Sequence, residues 1–215
     1  MPRAHRHYLP GHIWHVTHRC HDRAFLLEGE YERFLWLSWL RKAKKRYKLI
    51  ILNYNVTCNH IHLLLQDPGE KLAIARGMQL VQGQTAQACN RHTGRGNAFW
   101  GDRYHATAVE SGTHLLRCLV YIDLNMVRAG AVNRPEEWHD CGYNEIQNER
   151  VRDGLIDKRR LAMLLGCADL ESLRKFHKQA VADGMRVREQ PAAAAARMVT
   201  AVLGKSAPAP HAIDR

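Results

Sequence analysis

His60 and His62, in the run Asn59-His60-Ile61-His62-Leu63-Leu64, are the residues of this chain whose type and spacing most directly suggest chemistry. In an extended strand, residues two apart face the same side. Both imidazoles therefore project together, while Ile61, Leu63 and Leu65 project to the opposite face. If that apolar stripe packs on helices, the neutral ring nitrogens stand together on the other face. There they are spaced to ligate one divalent metal, with positions left for a third ligand, water or a phosphate. Tyr121 and Asn125 form a second pair, four residues apart in a segment of helical pattern and so on one helix face. A tyrosine can serve as a nucleophile, and an amide oxygen one turn away can complete a metal site. Each pair alone also has an ordinary reading: His-x-His arises by chance in a chain with 14 histidines, and a Tyr/Asn pair can be a packed or capped surface feature.

The elements that must position these residues follow from the hydrophobic pattern. Residues 12–19 alternate as a half-buried strand does, and 30–47 read as an amphipathic helix ending in Arg41, Lys42, Lys44, Lys45 and Arg46, charges that complement its dipole. Two β-branched-rich runs, 49–56 and 60–66, are joined by Thr57, Cys58 and Asn59 and predict a hairpin. A second helix is expected over 72–91, weakened by Gly77 and Gly83, then a strand over 104–110. A third helix is expected over 113–127, with Thr113 as N-cap and Gly130 as stop signal. The order β, α, β, β, α, β, α is that of an α+β, ferredoxin-like fold. It predicts an antiparallel sheet with helices on one face and the other face free for a site. Residues 1–147 would form this catalytic domain. A small helical C-terminal appendage would occupy 148–185, with helices at 156–165 and 170–182, and the Ala- and Pro-rich residues 186–215 would be a disordered tail.

Composition narrows the partners. With 215 residues, 46% of them hydrophobic, the chain can bury one good core. Its 32 Lys and Arg against 21 Asp and Glu give a net charge of +11, which favours a polyanion bound through phosphate contacts. Candidate DNA contacts are Arg3, Arg6, Arg41, Lys44, Lys45, Arg91, Arg95, Arg103 and Arg128, with Trp100 available to stack an unpaired base. No apolar run approaches the ~18 residues of a membrane span, and the N-terminus lacks the apolar core of a signal peptide, so a cytoplasmic protein is expected. The six cysteines are scattered without a Cys-x-x-Cys pair, which argues against a disulfide framework or a zinc ribbon. Cys58 is in phase with His60 and His62 and could join them on zinc only if the strand ran back through Asn59, which reads as a turn residue.

The run 59–64, followed by Gly101-Asp102-Arg103-Tyr104 and by Tyr121-Ile122-Asp123-Leu124-Asn125-Met126-Val127-Arg128-Ala129-Gly130, resembles the HUH single-tyrosine transposases. Within them it is most similar to the REP-associated tyrosine transposases. The resemblance includes the opening segment 11–17 and covers roughly residues 1–147. It implies a ferredoxin-like core and a homodimer that cleaves and rejoins single-stranded, hairpin-forming DNA by transesterification through a 5′-phosphotyrosine. Carried over by position, it implies that His60 and His62 hold Mg²⁺ or Mn²⁺, that Tyr121 is the nucleophile and that Asn125 is a third ligand or polar positioner. Two motifs depart from the family pattern: Thr57-Cys58-Asn59 stands for Met-Pro-Asn, and Asn125-Met126-Val127-Arg128 for Asn-Pro-Val-Arg. Neither removes a ligand or the nucleophile. The alternatives are a non-catalytic hairpin-DNA-binding protein and a metal-dependent nuclease in which water attacks.

Overall fold

Ile61, Leu63, Leu64 and Leu65 are all fully buried, which requires a strand with neighbours on both edges and layers on both faces. The computed structural model describes residues 9–149 and 153–189. Its four strands are β1 (Ile13–Arg19), β2 (Ile50–Val56), β3 (His60–Gln66) and β4 (His105–Val109). They form one antiparallel sheet in the order β2-β3-β1-β4, the arrangement expected of a split β-α-β fold.

Helix α1 (Glu30–Tyr47) carries Glu30 and Glu32 in its first turn and Lys44, Lys45 and Arg46 in its last, so its charges oppose the helix dipole at both ends. Trp36, Leu37, Leu40 and Ala43 form its buried stripe. Helix α2 (Ala73–Thr93) buries Met78, Val81, Gln82, Thr85 and Cys89 at the same kind of spacing. Parity places these helices. His18 pairs across from Ile61 and stacks on Trp100, whose indole donates to the Gln82 carbonyl on α2. The α1/α2 layer therefore covers the face that carries Ile61, Leu63 and Leu65, as the strand period demands.

The opposite face carries the histidines, and part of it is covered by α3 (Thr113–Asp123). Asn53 and Asn55 of β2 point there, donating to Asp123 Oδ1 at 2.9 Å and to the Ile122 carbonyl at 2.8 Å. The single helix expected over 113–127 is divided. Leu124 (φ −86°, ψ 5°) separates α3 from α4 (Asn125–Arg128), its side chain drawn into a cluster with Val127, Tyr143 and Val181. The hydrogen-bond ladder continues across the step, from Leu124 N–H to the Val120 carbonyl and from Arg128 N–H to the Leu124 carbonyl.

Three later helices follow: α5 (Gly142–Gln147) and α6 (Lys158–Leu164) pack on β2, and α7 (Leu170–Glu189) packs on α3, α5 and α6. Leu155, Ile156, Leu161 and Leu173 join the same buried core as the sheet. Helix α7 runs beyond the expected end at 182, into the first residues of the expected tail. The rest of that tail, 190–215, lies outside the described residues. Among the described residues no helix is long and apolar enough to cross a membrane.

Candidate active site

The β2–β3 turn is built to present His60. Thr57 Oγ accepts from the N–H groups of Asn59 and His60 at 3.3 and 3.0 Å and donates to the His60 carbonyl at 2.8 Å, so a hydroxyl braces the turn from inside. The Asn59 amide donates to the Arg23 carbonyl, which orients its Oδ1 toward His60 Nδ1 at 2.7 Å. That oxygen can only accept. His60 Nδ1 therefore carries the proton and Nε2 keeps its lone pair.

His62 takes the same tautomer when its Nδ1 is the donor in its contact with β1. Its Nδ1 lies 2.9 Å from Nε2 of His15, a β1 residue on the same sheet face, with the two rings stacked at 5.1 Å between centroids. With His62 Nδ1–H donating to His15, the His62 Nε2 lone pair faces His60 Nε2 at 3.0 Å. Both imidazoles are kept neutral. Burial, with Arg19 adding to it, depresses His60 to about 4; burial with His60, His15 and Arg19 nearby depresses His62 to about 2. His62 is only 3% exposed.

In that tautomer the two facing lone pairs repel unless a cation lies between them; with the other His62 tautomer, Nε2–H donates to His60 Nε2 across the same 3.0 Å. Two cis ligands on an octahedral ion at about 2.1 Å are separated by roughly 3.0 Å, the spacing observed here, so the pair fits a divalent metal. Asn125 reaches the same point: its amide lies 3.1 Å from His62 Nε2, and with the amide turned over Oδ1 occupies that place. Among the described residues no group of three or more His, Cys, Asp or Glu side chains could hold a metal. A third protein donor would therefore be an amide, the kind Asn125 supplies. Cys58 stays in the turn before β3, where its carbonyl accepts from Leu27 N–H.

Tyr121 stands edge-on to His62, with centroids 5.6 Å apart, and 6.1 Å from His15. It is 42% exposed, so it adjoins the imidazoles while staying open to a large ligand. The Arg128 guanidinium lies 5.2 Å over its ring, a cation held by the π face. The side chains named from sequence thus meet from three elements: His60 and His62 from β3, Tyr121 from α3, and Asn125 with Arg128 from α4.

The other candidate contacts are placed differently. Arg41, Lys44 and Lys45 sit on α1, behind the sheet from the histidines; Lys44 donates to the Gly154 carbonyl, and Lys45 pairs with Asp153. Arg91 and Arg95 are exposed at the end of α2. Trp100 stacks on His18, so one face of its ring is taken. Arg103 lines an open cleft with Arg19, Arg23 and His105 at the His60 end of the sheet. Arg3 and Arg6 lie outside the described residues. Sequence reasoning missed His15 and Arg19. Their alternation with Ile13 on one face of β1 was the available signal, but only the register, which sets Arg19 across from His60 and Thr17 across from His62, brings that face to the site.

No curated protein sequence matches the chain. Among solved structures, that of a REP-associated tyrosine transposase bound to a REP hairpin is similar at 21% identity and a TM-score of 0.58, over 67% of this chain and 84% of that one, a likeness of fold. A candidate transposase from Deinococcus radiodurans R1 aligns at 19% identity over 64% of this chain and 98% of its own, with a TM-score of 0.39. The family model described as "Transposase IS200 like" matches residues 9–125. That span is more than half of the chain and holds every side chain of the site except Arg128, and it places this protein in the IS200-like transposase family.

Proposed function

We propose that this protein is a metal-dependent, single-tyrosine strand-transferase acting on single-stranded, hairpin-forming DNA. The observation that carries the proposal is the 3.0 Å approach of His60 Nε2 and His62 Nε2 beside a half-exposed tyrosine of the same chain. His60, His62 and Asn125 would hold Mg²⁺ or Mn²⁺, which when bound polarises the scissile phosphate and spreads its developing charge.

The chain's own residues do the rest. Tyr121 Oη forms a bond to phosphorus, its proton leaving to solvent on the open side of the ring. The bond to the 3′ oxygen breaks, and that oxygen takes a proton to leave as a deoxyribose 3′-hydroxyl. The DNA stays on Tyr121 as a 5′-phosphotyrosine, which conserves the bond until a 3′-hydroxyl attacks and rejoins the strand. Arg19 and Arg128 flank the site as cations for neighbouring phosphates. His15 fixes the His62 ring through Nδ1, the supporting role usual behind a metal-ligating histidine. One chain carries the whole set, so each subunit of the homodimer implied by the family resemblance would hold a complete site.

The test is incubation with end-labelled hairpin DNA and Mg²⁺ or Mn²⁺, followed by a denaturing gel. A labelled protein band that disappears in Tyr121→Phe and with chelator is expected. A band that survives Tyr121→Phe refutes the nucleophile. Cleavage without a band indicates a nuclease using water, and binding with neither indicates a hairpin-binding module.

A further inference from the structure

Two residues after Tyr121 lies Asp123, a carboxylate 1% exposed. Asn53 of β2 donates to its Oδ1 at 2.9 Å, and His177 of α7, 0% exposed, meets its Oδ2 through Nε2 at 2.7 Å. Gln147 of α5 donates to His177 Nδ1 at 2.8 Å and to the Arg174 carbonyl at 3.3 Å, which fixes the orientation of its amide. With Nδ1 accepting, Nε2 carries the hydrogen and donates to Asp123. Seven residues along α7, on the same helix face, Gly184 meets α3 again. A Cβ there would lie 2.7 Å from Val120 Cγ1 and 3.0 Å from Leu124 Cδ1. Helix α7 therefore grips α3 at 120 and 123 and the step that ends it at 124, on both sides of the tyrosine in sequence.

Packing alone does not call for this arrangement, because well-packed apolar groups would stabilise the contact at least as well as a buried polar pair. What the polar pair adds is one permitted register between the two helices. The geometry points to α7 as a strut that fixes the angle of the nucleophile helix, with His177 and Gly184 as positioning residues for Tyr121. This inference rests on Tyr121 being the nucleophile. Neither residue is placed to touch DNA or metal. Both act by holding the phenol on line, where a displacement of about 1 Å costs on the order of 10²-fold in rate.

His177→Leu and Gly184→Ala test it in the full chain. In single-turnover reactions at saturating labelled hairpin, both should slow adduct formation, on the order of 10²-fold for His177→Leu, while hairpin affinity stays within about twofold. His177→Gln, which keeps an N–H for Asp123, should recover most of the rate. A Cβ at 184 must push Val120 and Leu124 aside, so Gly184→Ala should slow the reaction with a modest fall in melting temperature while its far-UV circular dichroism stays parental. Amide exchange measured without DNA should rise in residues 113–124 and stay unchanged in β1 and β3. Parental adduct rates in both variants overturn the strut. So does a fall in affinity that matches the fall in rate, or exchange that rises equally across the sheet. A parent that binds hairpin but forms no adduct refutes the nucleophile reading instead, and the exchange measurement then still decides whether α7 holds α3.

Discussion

At the scale of single residues, the site works through what burial does to imidazole. A histidine in water exchanges its proton near 6.5, whereas His60 is held at about 4 and His62 at about 2 by desolvation and neighbouring positive charge. Their nitrogens thus stay available to a metal well below neutrality. Two ordinary imidazoles would lose about a hundredfold in metal affinity between pH 7.5 and 5.5; here calorimetric titration with Mn²⁺ should give nearly equal affinities at the two values. The same shifts set a stability trend. Both groups take up protons on unfolding below about 6.5, so unfolding free energy should be level above that value and fall as pH drops towards 4, as read by urea melts. His15 belongs to the same unit through its contact with His62 Nδ1. His15→Phe should weaken Mn²⁺ binding by about 10- to 100-fold while leaving the fold, by circular dichroism, unchanged.

At the scale of elements, α3 matters most because it carries Tyr121 and is anchored at several points. Leu119 is fully buried beneath it, and Leu119→Ala should cost about 2–5 kcal/mol in chemical denaturation. The first residue of α5, Gly142, sits so close to β2 that a Cβ would lie 2.0 Å from Asn53 Oδ1 and 2.8 Å from Ile156 Cδ1. Gly142→Ala should destabilise by about 1–3 kcal/mol. It should also displace the Asn53 amide that holds Asp123, so adduct formation should fall more than hairpin binding; a variant equal to the parent in both assays would rule this link out. The long elements were legible in the sequence: the expected α1 is the observed Glu30–Tyr47, because an apolar stripe at helical spacing leaves one solution. The six-residue α5 was not, since so few residues display no period and tertiary contacts decide their conformation.

At the scale of the molecule, the chain's net charge is +11; among the described residues cations stand on both sides of the sheet, and only one side carries His60 and His62. Arg19 and Arg128 stand at the site, whereas Arg41, Lys44 and Lys45 lie behind the sheet on α1. Each phosphate contact to a single strand contributes about 0.7 to the slope of log affinity against log salt. Filter binding over a salt series should therefore show the slope reduced by about 1.4 in Arg19→Ala/Arg128→Ala. It should change far less in Arg41→Ala/Lys44→Ala/Lys45→Ala. The opposite ranking would move the DNA path to the α1 face.

The sequence by itself determined whatever depends on local period: that His60 and His62 share a side of a strand, that apolar Ile61, Leu63 and Leu65 occupy the other, and that Tyr121 rides a helix. Those inferences need only the two-residue and 3.6-residue repeats of the backbone. Tertiary structure decided everything that joins distant segments. Register alone brings Arg19 opposite His60, stacking across strands pairs His15 with His62, and Asp123 finds His177 54 residues away. It also decided which arginines and lysines face the site, because a charge on a helix reads the same in sequence whichever side of the sheet that helix covers.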